Sequence, residues 1–379
     1  MRKVIVGLRG AFGPLAPIYL NLHRRGTFDG GERSFLLMTL FEPDRPSHSI
    51  VPRLLGYGLS IVFLVWVLHD FHVVRALKDM ANADWKWVIV GMACDVTSYV
   101  AQAWRWKLLL TPFGRVRMTK SVRAIFSGLF ANLVLPLRPG EFLRGYLLSG
   151  SENIKLGLTL GSVGVERLID LVIATSALGV VSLLVDLPPR FRRAADILGI
   201  ITLVIVTIIV ALIFFLETKI GKNEGPPPDP TQAGLKGKIM AALFSLHAMG
   251  TAPSFYSAVL ASLLVPGFQI LAMWAIMTSY SLHLSFLVAV VVTVVINLGV
   301  SLPNAPANVG SYQFFCVLGL SIFDVDKTTA TGFSIFVFIA LTLPLLFLGI
   351  AALVRSGLSL RTMRERVAHP TEAPPPAAA

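Results

Sequence analysis

Charge is what this sequence has least of. Asp, Glu, Lys and Arg make up 14% of its 379 residues, against roughly 25% in an ordinary soluble domain. That deficit excludes a conventional water-soluble surface. Cysteine is almost missing as well: Cys94 and Cys316 each sit inside an apolar run, so no disulfide framework is available. No Gly-rich turn ends in Gly-Lys-Ser or Gly-Lys-Thr, so a phosphate loop is excluded. The seven histidines are scattered, and the pair His69 and His72 is too little for a metal site. No metal or cofactor is expected. With no nucleophile–base arrangement in view either, the chain is not expected to be an enzyme. Nor does Met1 to Val51 hold an apolar core ahead of a small-residue cleavage site, which argues against a secretory signal. Residues 1–52 read as an irregular basic leader, and those before Met38, an alternative start, are expected to be dispensable or untranslated.

What the chain does have is uncharged sequence in long stretches. Ile239 to Phe323 contains no Asp, Glu, Lys or Arg, and a helix needs only about 20 residues to cross a hydrocarbon core. Only helices or closed barrels satisfy their backbone groups in lipid. The expected fold is therefore all-α, a polytopic integral membrane helical bundle. Seven spans are expected near 53–70, 86–107, 168–187, 196–217, 254–281, 284–302 and 328–354. Segments 120–136, 155–167 and 309–323 are shorter or charged and read as up to three re-entrant or half-helices. A Pro-rich stretch, Gly225 to Pro230, marks a linker (218–252) between two pseudo-related halves, 53–217 and 253–354. The tail, 355–379, is basic and then rich in Pro and Ala.

The net charge of +12 reads as topology and lipid-headgroup contact rather than nucleic-acid binding, because the basic residues flank apolar runs. Arg105, Lys107, Arg115, Arg117, Lys120 and Arg123 form one loop without acids, and Arg355, Arg361, Arg364 and Arg366 follow the last span. Both termini are expected in the cytoplasm. Trp85, Trp87, Trp104 and Trp106 bracket the second span as interfacial anchors do. Asp95 is a lone acid in the middle of that span.

Each half carries a matching interruption. The first is Asn132-Leu-Val-Leu-Pro136-Leu-Arg138-Pro139-Gly140-Glu141. The second runs from Asn297 through Pro303, Asn304, Pro306, Ala307, Asn308 and Gly310 to Gln313. Paired Pro/Gly breaks at corresponding places point to a transport site between repeats. Asn132 is read with the substrate-binding set; for Asn297, Asn304, Asn308 and Gln313 the alternative is capping of exposed helix ends. Ionisable residues in apolar helices are costly, so each needs a partner or a wet cavity. Glu141 and Arg144 are three apart and can pair. Glu166 and Asp170 share a face, and Arg167 reaches Asp170 at i,i+3. Arg138, Arg144 and Arg167 could hold a phosphate-bearing headgroup bidentately, or the same charges could lock helices together. Gly157, Gly161 and Gly164 would let another helix approach. Asp324 and Asp326 read as turn and cap residues.

The stretches NLVLPLRPGEFLRGY (Asn132 to Tyr146), GVERLID (Gly164 to Asp170) and LPNAPANVGSYQF (Leu302 to Phe314) resemble the flippase-like membrane family that includes the transmembrane region of lysylphosphatidylglycerol synthase, the multiple peptide resistance factor. The resemblance covers roughly Leu54 to Val354. It implies a bundle with re-entrant helices that translocates a lipid across the bacterial cytoplasmic membrane. Expected partners are membrane lipids: an anionic or modified phospholipid, or a polyprenyl-linked or hopanoid-type lipid. The alternative is an accessory subunit presenting lipid to a separate enzyme. Only a short basic tail follows the last span, so aminoacylation is not expected. Ala307 and Asn308 stand where the family turn would be more glycine-rich, which bears on substrate rather than fold.

Overall fold

The computed structural model of the protein describes residues 50–69, 71–135, 139–184, 189–220, 249–250, 252–301 and 305–356. Most of the leader, of the linker with its Pro-rich stretch and of the tail lies outside the described residues, as do Pro136, Arg138, Pro303 and Asn304. The described residues form eleven α-helices and no strand. They are α1 (Ile50–Leu68), α2 (Val73–Ala81), α3 (Trp85–Leu110), α4 (Met118–Val134), α5 (Gly140–Glu152), α6 (Leu156–Leu184), α7 (Pro189–Ile220), α8 (Pro253–Ser279), α9 (Phe286–Val300), α10 (Ser311–Ser321) and α11 (Lys327–Arg355).

By length and composition α8 and α11 can each cross a membrane, and the pair α1 and α2, bent by 85°, counts as a third if it is one span. Their outward residues are apolar, among them Val62, Leu260 and Phe347, each more than half exposed. The polar residues of the bundle run the other way: Arg105, Glu166, Ser98 and Ser127 are fully buried. Apolar surface on this scale calls for a non-aqueous partner.

Proline accounts for both interruptions. A residue preceding proline is driven out of the helical region by its ring. Leu135, before Pro136, has φ −106°, ψ 142° and ends α4, and Ala305, before Pro306, has φ −61°, ψ 162°. After the first break the chain turns back on itself so tightly that α4 and α5 touch through glycine. A Cβ on Gly140 would overlap the Gly128 carbonyl, and one on Gly128 would sit 2.6 Å from the Gly140 oxygen. The second break is held by α1: Ser60 Oγ accepts from Ala305 N–H at 3.0 Å. Gly310, at φ +86°, would drive a Cβ into the Ser60 carbonyl.

Two expectations need correcting. Segment 155–167 is not a separate half-helix but the first part of α6, continuous for 29 residues to Leu184; its charges do not interrupt it because they are paired. The close approach expected at Gly164 also fails, since nothing lies within 4 Å of a Cβ there. In the bundle centre α3 packs against α8, where Gly91 brings Ile276 and the Ala272 carbonyl close. One core joins α3, α8, α9, α10 and α11 around Phe333, Ile276 and Leu320. A second joins α3, α4, α5 and α6 around Trp106, Ile125 and Leu148.

Candidate functional site: a buried arginine–carboxylate network

The second core holds the charges. Glu166, on α6 and fully buried, lies between two arginines. Arg105 of α3 donates from Nε to Glu166 Oε1 at 3.2 Å, with Nη2 3.1 Å from the same oxygen. Arg144 of α5 donates from Nη2 to Oε2 at 2.5 Å. Arg105 also clasps Asp170 one turn further along α6, Nη1 on Oδ1 and Nη2 3.4 Å from Oδ2. Toward the surface Arg167 donates to Glu141 at 2.5 Å and approaches Asp170 at 3.5 Å. Three arginines and three carboxylates from three helices, α3, α5 and α6, thus balance in charge. A network of this kind stays buried because removing either sign would strand the other in low dielectric.

The balance in hydrogen bonds is incomplete. Arg144 is 4% exposed, yet among the described residues its Nε and Nη1 have no acceptor. Its guanidinium carbon lies 5.0 Å from the centroid of the Trp106 ring, a cation–π contact that leaves the in-plane donors unused. Trp106 is itself fixed, donating from Nε1 to Ser162 Oγ at 2.8 Å. A buried guanidinium with idle donors is the arrangement that receives an anionic oxygen.

Of the residues singled out in the sequence, Glu141, Arg144, Glu166, Arg167 and Asp170 come together here. Their pairing differs from expectation: Glu141 takes Arg167 and Arg144 takes Glu166, because α6 runs alongside α5 and offers closer partners than the i,i+3 neighbour. Arg105, read from the sequence as a loop charge, is the buried centre of the network. It lies inside α3, five residues before its end. The flanking Trp104, Trp106 and Leu108 to Leu110 were the available signal: an arginine followed by five residues of unbroken helix-forming sequence has not yet left the span. Trp106 is likewise no interfacial anchor, since it is fully buried, whereas Trp85 and Trp104 are exposed.

The uncharged polar residues serve the breaks. Asn132 Oδ1 accepts from Gly140 N–H at 2.7 Å and Gln313 Oε1 accepts from Gly310 N–H at 2.7 Å, so both cap the start of the resumed helix. Asn297 donates to Gln269 at 3.3 Å. Asn308 sits in the turn after Pro306 with φ 58°. Pro139 precedes α5 directly. Arg138, Asn304, Pro136 and Pro303 lie outside the described residues. Asp326 is the N-cap of α11, accepting from Thr329 N–H at 2.9 Å.

Known proteins resemble parts of the chain. A segment of 115 residues is 28% identical to the UPF0104 membrane protein MJ1595 of Methanocaldococcus jannaschii, covering 30% of this chain and 34% of that protein. A segment of 134 residues is 29% identical to the glycosyltransferase AglD of Haloferax volcanii, covering 35% of this chain and 21% of that protein. The chain thus matches about a third or less of the length of either relative. No solved structure matches. Residues 53–349 match the family described as lysylphosphatidylglycerol synthase TM region, most of the chain, and the protein belongs to that family of membrane proteins.

Proposed function

We propose that this protein translocates a polar-headed lipid across the cytoplasmic membrane, holding the headgroup at the Arg105–Glu166–Arg144 network while the acyl chains stay in lipid. The observation that carries this reading is Arg144, buried with two idle donors within a cluster whose charges balance. A phosphodiester oxygen would complete its coordination. Arg167 at the rim would guide an anionic headgroup inward. The seven-span topology belongs to this proposal, as does the pairing of halves. Helices of 26, 17, 13 and 29 residues (α3 to α6) are followed by helices of 27, 15, 11 and 29 (α8 to α11). Gly140 and Ser311 open α5 and α10, and Leu156 and Lys327 open α6 and α11, at one offset of 171 positions (311 less 140, 327 less 156). At that offset Gly128 and Arg144, which touch, correspond to Gly299 and Phe315, which touch. Two repeats meeting at broken helices are the architecture of alternating-access transporters.

The test is reconstitution into liposomes with headgroup-labelled fluorescent phospholipids and a membrane-impermeant quencher. Wild-type protein is expected to equilibrate at least one lipid between leaflets, and Arg144→Met to lose about tenfold in rate while eluting and melting as a folded protein. No protein-dependent movement of any lipid would instead favour the accessory role, in which the chain presents lipid to a separate enzyme. The glycosyltransferase named among its relatives makes that the second reading.

A further inference from the structure

We propose that the elbow between α1 and α2 is a fixed binding site for an anionic phospholipid, separate from the buried network. A groove of about 540 Å³ runs along the outside of the bundle there, lined by Ile61, Val62, Val65, Trp66, His69 and Lys327. Small-molecule sites span roughly 300–1,000 Å³, so an acyl chain is within its compass. The wall is apolar: Ile61, Val62 and Val65 are each more than 60% exposed, on a helix anchored by its opposite face. Phe63 stacks on Phe314 at 4.2 Å, and Trp66 meets Phe314 edge-on at 5.0 Å. Those contacts fix the wall, and the three aliphatic residues stay free for a chain.

One end of the groove is cationic. Lys327 Nζ lies 4.8 Å from the Trp66 ring centroid and makes no ion pair among the described residues. The nearest carboxylate in sequence, Asp326, is committed to Thr329 N–H and Oγ1 and to Arg75. A lysine at the first position of a long helix faces the positive end of its macrodipole and does not stabilise that helix. Its position is accounted for by an anion brought from outside. Trp66 stands beside it at the mouth, a residue type that favours headgroup depth in bilayers. Beyond the elbow, α2 turns 85° away and exposes Val73, Val74 and Leu77 with Arg75 and Lys78 between them, the pattern of a helix lying in the interface. Apolar wall, aromatic mouth and unpaired cation together fit one ligand class: a glycerophospholipid whose chain lies against α1 and whose phosphate meets Lys327. This site does not require that the protein transport anything, so its test is independent of the proposed function.

The full-length protein in nanodiscs would be irradiated with a trace of phosphatidylglycerol or phosphatidylcholine bearing a diazirine in the acyl chain, and the modified peptides mapped by mass spectrometry. The expected result is labelling centred on residues 61–66, at least fivefold stronger for phosphatidylglycerol. Lys327→Glu should bring the two lipids level and Lys327→Arg should preserve the difference. Val62→Trp, filling the groove at an exposed position, should abolish labelling by both. Equal labelling by the two lipids, labelling spread evenly over the outward faces of α8 and α11, or a preference untouched by Lys327→Glu would overturn the proposal.

Discussion

At the level of single residues, the network's energetics are asymmetric. Glu166 serves two buried arginines, so Glu166→Gln leaves both short of negative charge in a low-dielectric core. Losing one member of a buried pair costs about 3–5 kcal/mol, and thermal unfolding in detergent should show a loss of that order. Asp170→Asn should cost clearly less, because the Asp170 side chain is 31% exposed and water can make up part of the loss. Arg144→Met should also be milder than Glu166→Gln, since Glu166 keeps Arg105. A larger loss for Asp170→Asn than for Glu166→Gln would contradict the geometry. Much of this cluster could be read from the sequence, because Glu141, Arg144, Glu166, Arg167 and Asp170 are conspicuous charges in apolar surroundings. Their partners could not be read, because pairing across 61 and 65 positions, as between Arg105 and its two carboxylates, leaves no local pattern. Periodicity reports which face a residue shares with its own helix and nothing of the neighbour that face meets.

At the level of elements, the two breaks and the caps decide which helices can form and how closely they pack. Gly140→Ala sets a methyl group against the Gly128 carbonyl, and backbone cannot yield as a side chain can. Strong destabilisation or failure to fold is expected, whereas Gly164→Ala, with open space around it, should be neutral or slightly stabilising because alanine favours helix. Comparing the melting of the two variants in one detergent tests the α4–α5 contact directly. At the start of α11, burial by itself would raise the Asp326 carboxyl, but hydrogen bonds from Thr329 and the charge of Arg75 outweigh it and hold it below the ordinary carboxylate value. A depressed carboxylate stabilises the fold above its unfolded pKa of about 3.9 and loses that contribution as pH falls through its folded value. Asp326→Ala should therefore cost about 1 kcal/mol at neutral pH, and the gap from wild type should close below about pH 4. The pre-proline ends of α4 and α9's loop were legible from Pro136 and Pro306. The continuity of α6 was not, since charges at 166, 167 and 170 look like an interruption until their partners are known.

At the level of the whole molecule, the proposed pairing of halves sets charged positions against apolar ones. Positions 141, 144, 166, 167 and 170 correspond, 171 residues on, to Tyr312, Phe315, Val337, Phe338 and Leu341. Where the first half has a charged network, the second has aromatic and aliphatic packing, with Cys316, Val337 and Leu320 in its core. On the proposed function, one charged site facing an apolar counterpart would serve one headgroup at a time. Contacts at the two ends of α11 set its direction relative to α3. Trp85, at the start of α3, meets Phe336 in the first third of α11 at 6.3 Å, while Gly349 near the end of α11 packs on Phe126 and Phe130 of α4. Helices α3 and α11 therefore run the same way, and the basic loop after Leu110 and the Arg355 end of α11 fall at one end. The bias of Lys and Arg toward the cytoplasm predicts that this end lies inside. In a background with Cys94 and Cys316 replaced by Ala, Arg115→Cys and Ser356→Cys should react with a membrane-impermeant maleimide only after cells are opened. Asn82→Cys and Asp324→Cys, at the other end, should react in intact cells. Labelling of Arg115→Cys and Asp324→Cys from the same side would break the spanning arrangement of α3 and α11, and with it the route between leaflets that translocation requires.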